Sequence, residues 1–133
     1  MLRYPIRVKR QPEKKALLSV PDLPGAELIA ANRQEALEKA QGLLEASLMR
    51  LLKDGAEIPL PSPMRPGAFV ELSEEQEAKL LLYRAMRSRG VTKAQLARRL
   101  KSSVAEMDKL LDLGRKSSLA QMQKAFAALK EAS

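Results

Sequence analysis

The chain has 133 residues, which is enough for one compact domain or two small ones. Its 24 lysines and arginines outnumber its 16 acidic residues, so the formal net charge is +8. Cysteine and histidine are both absent, which excludes disulfides, thiolate zinc sites and catalytic pairs of a nucleophile with histidine. We therefore expect no enzyme activity, no catalytic residues, no metal ligands and no cofactor.

The charge pattern also bears on location. No uncharged run exceeds seven residues, which is too short to cross a bilayer. The first residues, Met1 to Arg7, lack the apolar segment of a secretory signal. A cytoplasmic protein with no membrane partner is the prediction.

Prolines divide the chain into two parts. All eight lie at or before Pro66, and four of them fall in residues 59–66. A segment this rich in proline cannot sustain a helix or an interior strand, so residues 59–67 are expected to form a stiff, extended linker. The expected domains are therefore residues 1–58, which are α+β, and residues 68–133, which are mostly helical.

Alternating apolar and polar residues predict the strands of the first domain. Tyr4, Ile6 and Val8 follow the period of a half-buried strand. Residues 16–20 would complete a hairpin with it, and residues 27–31 fit a further short strand. The prediction is a small antiparallel sheet.

A long helix is expected to pack across this sheet. Asn32 can cap its start, and Gly55 can end it. Its apolar positions share one face and are Ala36, Leu37, Ala40, Leu43, Leu44, Leu48, Leu51 and Leu52. Glu35 and Glu38 are three residues apart, and we expect surface charges paired with Lys39 rather than a catalytic pair.

Capping patterns predict the helices of the second domain, after a possible strand at residues 68–72. In each pattern a serine or threonine precedes a glutamate or glutamine by three residues. The helices predicted in this way run from Ser73 to just before Gly90, from Thr92 to about Leu100, and from Ser103 to about Leu113. The spacing of apolar residues predicts a last helix from Leu119 to Lys130. The inward positions of the last are Leu119, Met122, Ala125, Phe126 and Leu129.

The second and third of these helices have the layout of a helix-turn-helix. They are short, about three residues separate them, and the small Ala97 lies where they must cross. A plain four-helix bundle would show the same caps. The stretch from Ala78 to Ala105 holds eight basic residues and no acid, which favours DNA binding over a merely solvated face.

Helix geometry gives the expected DNA contacts, with phosphates held at the start of the first short helix and base edges read by the second. The expected DNA-binding residues are Thr92, Lys93, Gln95, Arg98, Arg99, Lys101, Ser103, Val104, Ala105, Asp108 and Lys109. Arg115 and Lys116 could add phosphate contacts. Because Glu106 and Asp108 repel phosphate, we expect modest affinity per monomer and a homodimer or higher homo-oligomer on a two-fold operator.

Several segments resemble the HicB antitoxins in order and spacing, over nearly the whole chain. In the first domain they are Tyr4 to Ile6, Val20 to Gly25, Glu35 to Ala40, and Gly55 to Ser62. The segments that resemble the family's helix-turn-helix tail are Leu82 to Arg87, Val91 to Leu100, and Leu110 to Leu113.

The resemblance implies a bacterial type II toxin–antitoxin system. The first domain would have a partial, non-catalytic RNase H-like fold and would occlude a small mRNA-cleaving toxin, HicA. The second domain would bind the promoter of its own operon as an autorepressor. The expected toxin-binding residues lie near the Pro-Asp-Leu-Pro-Gly loop and are Asp22, Leu23, Pro24 and Glu27.

The sequence departs from the family pattern in the second domain. Lys101 stands where the family commonly has glycine, and a left-handed lysine costs roughly 1 kcal/mol, which predicts a distorted turn. Asp108 and Lys109 stand where asparagine and arginine are common, so the operator sequence is left open.

Two other functions fit the same residues. One is a helix-turn-helix regulator whose first domain senses a small ligand and has no toxin partner. The other is a nuclease in which Asp22 and Glu27 hold a metal ion. A short reading frame beside this one in the genome would favour the antitoxin over the regulator.

Overall fold

The structure is a computed structural model, and it describes residues 2–63 and 66–130. The chain divides into two compact units, Met1–Leu72 and Ser73–Ser133. The first contains small antiparallel sheets and one long helix, and helices make up the regular structure of the second, which confirms the predicted α+β class. The first unit extends beyond residue 58, through the segment that we expected to be a linker, and Met64 and Arg65 of that segment lie outside the described residues.

The first unit contains two antiparallel sheets. Its elements are β1 (Arg3–Pro5), β2 (Arg7–Arg10), β3 (Ala16–Ser19), β4 (Glu27–Ala30), α1 (Arg33–Lys53) and β5 (Phe69–Glu71). The strand order is β2-β3-β4 in one sheet, and β1 pairs with β5 in the other. The strand expected at residues 68–72 is thus present.

The single strand expected through Tyr4, Ile6 and Val8 changes partner at Ile6. Tyr4 pairs with Val70 of β5, whereas Val8 pairs with Leu18 of β3. Between them, the Ile6 backbone N–H donates to the Ala68 carbonyl at 3.1 Å. The alternation gave the buried face correctly, but it carries no information about which strand lies alongside.

The helix α1 packs its small residues against the three-stranded sheet. Ala36 and Ala40 are buried against Leu18 and Ala30, so the helix backbone lies close to the strands. Leu37, expected on the buried stripe, is 40% exposed. Asn32 caps the helix as predicted, because its side chain accepts from the Glu35 N–H at 2.9 Å.

The surface pair expected on α1 is present. Lys39 Nζ lies 2.9 Å from Glu35 Oε1, one helical turn away. The hydrogen bond from the Lys39 ammonium holds the pKa of Glu35 below its ordinary value. Glu35 is therefore a paired surface carboxylate.

The first residues of the proline-rich segment are attached to the first unit. Ile58 is buried, and the Tyr4 hydroxyl donates to the Pro59 carbonyl at 2.8 Å. The backbone N–H and the hydroxyl of Ser62 donate to the two carboxylate oxygens of Asp22, at 2.7 and 2.5 Å. Residues 58–62 thus form part of a folded unit.

The described part of the second unit is helical. Its elements are α2 (Glu74–Arg89), α3 (Lys93–Arg99), α4 (Val104–Leu110) and α5 (Leu119–Lys130). Both capping boxes predicted at the starts of α2 and α3 are present. The third is half formed, because Ser103 accepts from the Glu106 N–H while the Glu106 carboxylate lies beside Lys109. The helix α4 ends at Leu110, three residues earlier than expected.

Leucine, alanine and methionine side chains fill the core of the second unit, together with Tyr83 of α2. Leu96 of α3 and Met107 of α4 are both buried in this core. Leu119 is 72% exposed, contrary to the prediction, because it is the first residue of α5 and precedes the turns that pack. None of the described helices is long and apolar enough to traverse a membrane.

Candidate functional site

A buried lysine of α2 fixes the position of α4. Lys79 is 1% exposed, and its ammonium donates to the Lys109 carbonyl at 3.0 Å and to the Ser117 hydroxyl at 2.8 Å. Burial lowers the pKa of Lys79, and the nearby carboxylates of Glu75 and Asp112 partly oppose this. Lys79 is one of the eight basic residues of the acid-free stretch, but because it is buried it adds nothing to the basic surface. Its hydrogen bond to Lys109 instead holds the C-terminal end of α4.

The turn between α3 and α4 has regular hydrogen bonding. Lys101 takes the left-handed conformation, with φ +53°. Its N–H donates to the Arg98 carbonyl at 3.2 Å, and the Ser102 N–H donates to the Ala97 carbonyl at 2.8 Å. These two bonds form a Schellman motif, so the lysine takes the glycine position without disrupting the turn.

Five of the expected DNA-binding residues lie on the exposed side of α4. They are Ser103, Val104, Ala105, Asp108 and Lys109, and all are exposed. Two cations of this region are paired within the unit. Lys93 Nζ lies 2.6 Å from Asp108 Oδ1, and Lys109 Nζ lies 3.2 Å from Glu106 Oε1. The structure thus brings Lys93 of α3 and Asp108 of α4 together in one cluster.

The remaining expected DNA-binding residues, on and beside α3, differ in how free their side chains are to contact DNA. Thr92 and Gln95 are engaged in the reciprocal cap of the helix. Arg99 Nη1 lies 3.5 Å from the Ala128 carbonyl near the end of α5. Arg98 and Lys101 are exposed and form no ion pair with any residue in the described ranges. Both side chains are therefore accessible positive charges of this surface.

A cavity of about 270 Å³ lies beside α4 and was not predicted from the sequence. Its charged lining consists of Glu106, Lys109, Arg115, Lys116 and Lys124. Arg115 and Lys116 were expected phosphate contacts, whereas nothing in the local pattern singled out Lys124. The excess of basic groups makes this cavity attractive to anions.

Two of the four expected toxin-binding residues hold the loop of residues 21–26 in place. Leu23 is 3% exposed, so its side chain belongs to the core of the first unit. Asp22 directs its carboxylate at Ser62, as described above. Pro24 and Glu27 are exposed, and these two remain accessible to a partner.

The strand β4 contains an accessible apolar residue that sequence reasoning missed. Ile29 is 62% exposed, and it lies on the same face as Glu27 because successive residues of a strand alternate. Within the described part of the chain, β4 pairs only with β3, which leaves its other edge unpaired. The alternation of residues 27–31 could have indicated that Ile29 is exposed, since burial of Ala30 places Ile29 on the opposite face of the strand.

The acidic residues of the structure are dispersed. Over residues 2–63 and 66–130, no three potential ligands among histidine, cysteine, aspartate and glutamate are close enough to hold a metal ion. The nuclease hypothesis requires Asp22 and Glu27 to act together. Asp22 is instead hydrogen-bonded to Ser62, and Glu27 is exposed.

Comparison with known proteins gives the family. Residues 3–81 match the family described as the HicB-like antitoxin of bacterial toxin–antitoxin systems. Antitoxin HicB of Escherichia coli K12 is 31% identical over 129 residues, which cover 96% of this chain and 94% of that protein. Antitoxin HicB 2 of Photorhabdus laumondii is 31% identical over 128 residues, covering 96% and 91%. The chain therefore belongs to the HicB-like antitoxins, a family whose name implies a toxin partner and a regulatory role.

Proposed function

We propose that this antitoxin binds a HicA-type mRNA-cleaving toxin through its first unit, neutralises it by occlusion, and represses its own operon. The similarity to antitoxins named HicB over 96% of the chain is the observation that carries this proposal. The family match over residues 3–81 spans nearly all of the first unit, which supports assigning the toxin to that unit.

The toxin-binding surface is the free edge of β4 together with Pro24. An edge strand offers unpaired backbone groups to a partner, and the exposed Ile29 adds apolar area beside them. The order β2-β3-β4 followed by α1 supports a partial RNase H-like fold. Such a surface acts by covering its partner, which requires no catalytic group.

Promoter binding is assigned to α3 and α4, acting as a helix-turn-helix. The exposed face of α4 enters the major groove, and Arg98 and Lys101 neutralise phosphates. Because α4 has only seven residues, one copy makes few base contacts. We therefore assign a homodimer on a two-fold operator.

Purification of the tagged chain from its native host tests the toxin assignment. A small basic protein should copurify in stoichiometric amount, and Ile29→Asp should abolish its recovery because a charge cannot be buried against an apolar partner. The matched control is Leu37→Asp on α1, because Leu37 is another exposed aliphatic residue of the same unit. This variant should retain the partner.

Two outcomes would contradict the toxin assignment. Ile29→Asp could retain the partner as fully as Leu37→Asp does, which would exclude the β4 edge. The unaltered chain could instead purify with specific DNA and no protein partner, which would favour the ligand-sensing regulator.

A further inference from the structure

The hairpin end of the first unit contains a basic cavity that the proposed function does not use. Its volume is about 510 Å³. Its lining residues are Arg10, Gln11, Lys14, Lys15, Ala16 and Arg33. This lining includes four cations and no acid.

Sheet register brings these residues together. Arg10 of β2 pairs with Ala16 of β3, and Ala16 pairs with Ala30 of β4. Because α1 begins three residues after Ala30, Arg33 lies at the same end of the sheet as the hairpin. The N-terminal end of α1 carries a partial positive charge, which adds to the field of the side chains.

The turn that presents Lys14 is conformationally strained. Glu13 and Lys14 both have left-handed backbone conformations, with φ +62° and +64°. Glycine would adopt this conformation without strain, so charged side chains occupy the turn at a conformational cost. The carboxylate of Glu13 lies 3.9 Å from the Lys15 ammonium and is largely exposed, so it screens the cluster weakly.

We propose that this cavity binds the phosphates of a nucleic-acid backbone, independently of base sequence. Convergent lysines and arginines with no acid among them are suited to polyanions. The lining has no aromatic side chain and only Ala16 as an apolar residue, so it offers no platform on which bases could stack. Its volume falls in the range of small-molecule sites of about 300–1,000 Å³, which is enough for a nucleotide-sized group.

Every protein in the test is the full chain carrying Arg98→Gln and Lys101→Gln. These two substitutions weaken nucleic-acid binding by the proposed promoter-binding surface of the second unit. Fluorescence anisotropy would measure binding to an oligouridylate of about 20 nucleotides and to a duplex DNA of arbitrary sequence, across a salt series. Lys14→Gln with Lys15→Gln should lower the affinity for at least one of the two about tenfold. The slope of log affinity against log salt should fall for the same nucleic acid, by about 1.4 for the single strand or about 1.8 for the duplex, since each lost phosphate contact removes about 0.7 or about 0.9.

A matched control removes the same charge from the other end of α1. Arg50 and Lys53 lie about 26 and 30 Å along the helix from Arg33, at a rise of 1.5 Å per residue. Arg50→Gln with Lys53→Gln should therefore change the affinity less than about twofold. Equal losses in the two pairs would mean that only net charge matters, and would overturn the proposal. Unchanged affinity of the Lys14→Gln, Lys15→Gln variant for both nucleic acids would also overturn it. The same holds if, in a parallel measurement with vesicles of anionic phospholipid, this variant loses binding to the vesicles alone.

A single substitution separates binding from folding. Lys14→Gly relieves the left-handed strain and removes one cation, so the variant should melt no lower than the parent while binding nucleic acid more weakly. A variant that binds as tightly as the parent would contradict the assignment of Lys14 to the site.

Discussion

Lys101 occupies a position that glycine holds at two other helix ends of this chain. After α1 and α2, Gly55 and Gly90 have φ values of +65° and +66°, and each begins the same pair of closing hydrogen bonds. After α3, Lys101 has φ +53° and begins the same pair of hydrogen bonds. A side chain with a Cβ pays a steric penalty here that glycine avoids, and the exposed ammonium is what the lysine adds.

Lys101→Gly should therefore raise the free energy of unfolding by about 0.5–1 kcal/mol, because relief of the left-handed strain exceeds the extra entropy of glycine in the unfolded chain. Urea denaturation would measure the change. Lys116→Gly, at an exposed lysine without a positive φ, is the control and should not stabilise the protein. If both variants had equal stability, the strain at Lys101 would be negligible.

Lys79 shows why side-chain placement was predicted less well than helix boundaries. Its neighbours in sequence resemble a basic helical surface, yet its partners are Lys109 and Ser117, which are 30 and 38 positions away. Nothing local to α2 indicates that a lysine would be buried, because its burial depends on where those two groups lie. The capping boxes at Ser73 and Thr92 were predictable because all of their atoms lie within four residues.

Among the elements of the first unit, the loop of residues 21–26 and the segment 58–62 stabilise each other. Asp22 accepts two hydrogen bonds from Ser62, which is 40 residues later in the chain. Sequence reasoning gave Asp22 to the toxin, since the loop motif does not reveal this distant partner. Leu23 was given to the same surface, and its side chain is buried, because burial depends on residues that pack around it from other parts of the unit.

Asp22→Asn should lower the free energy of unfolding by about 1–2 kcal/mol, because an amide replaces one charged acceptor by a donor. It should also speed proteolysis within residues 59–63. Asp54→Asn, at the exposed end of α1, removes the same charge without such a pair and should have little effect. Equal stability and equal proteolysis of the two variants would contradict a stabilising role for the Asp22–Ser62 contact.

For the whole molecule, a net charge of +8 overstates the positive charge that α3 and α4 expose for the proposed binding to promoter DNA. Lys79 is buried, and Lys93 and Lys109 are paired with acids of α4. The exposed cations near α4 that lie outside these pairs are Arg98, Lys101, Arg115 and Lys116. The affinity for the promoter should therefore depend on a few specific cations.

Arg98→Gln should weaken binding to the chain's own promoter and reduce the slope of log affinity against log salt by about 0.9, the value for one lost contact to duplex phosphate. A labelled promoter fragment titrated across a salt series would give both quantities. Lys130→Gln, at the exposed end of α5, is the charge-matched control and should leave the slope unchanged. A slope for Arg98→Gln equal to that of the control would exclude Arg98 from the DNA interface.

The two tyrosines of the chain are distributed one to each unit, and there is no tryptophan. Tyr4 and Tyr83 are both buried. Fluorotyrosine incorporated during expression would consequently yield two fluorine resonances, each reporting the environment of a single unit. Heating such a sample while following both signals would show whether the halves of this antitoxin melt in one transition or in two.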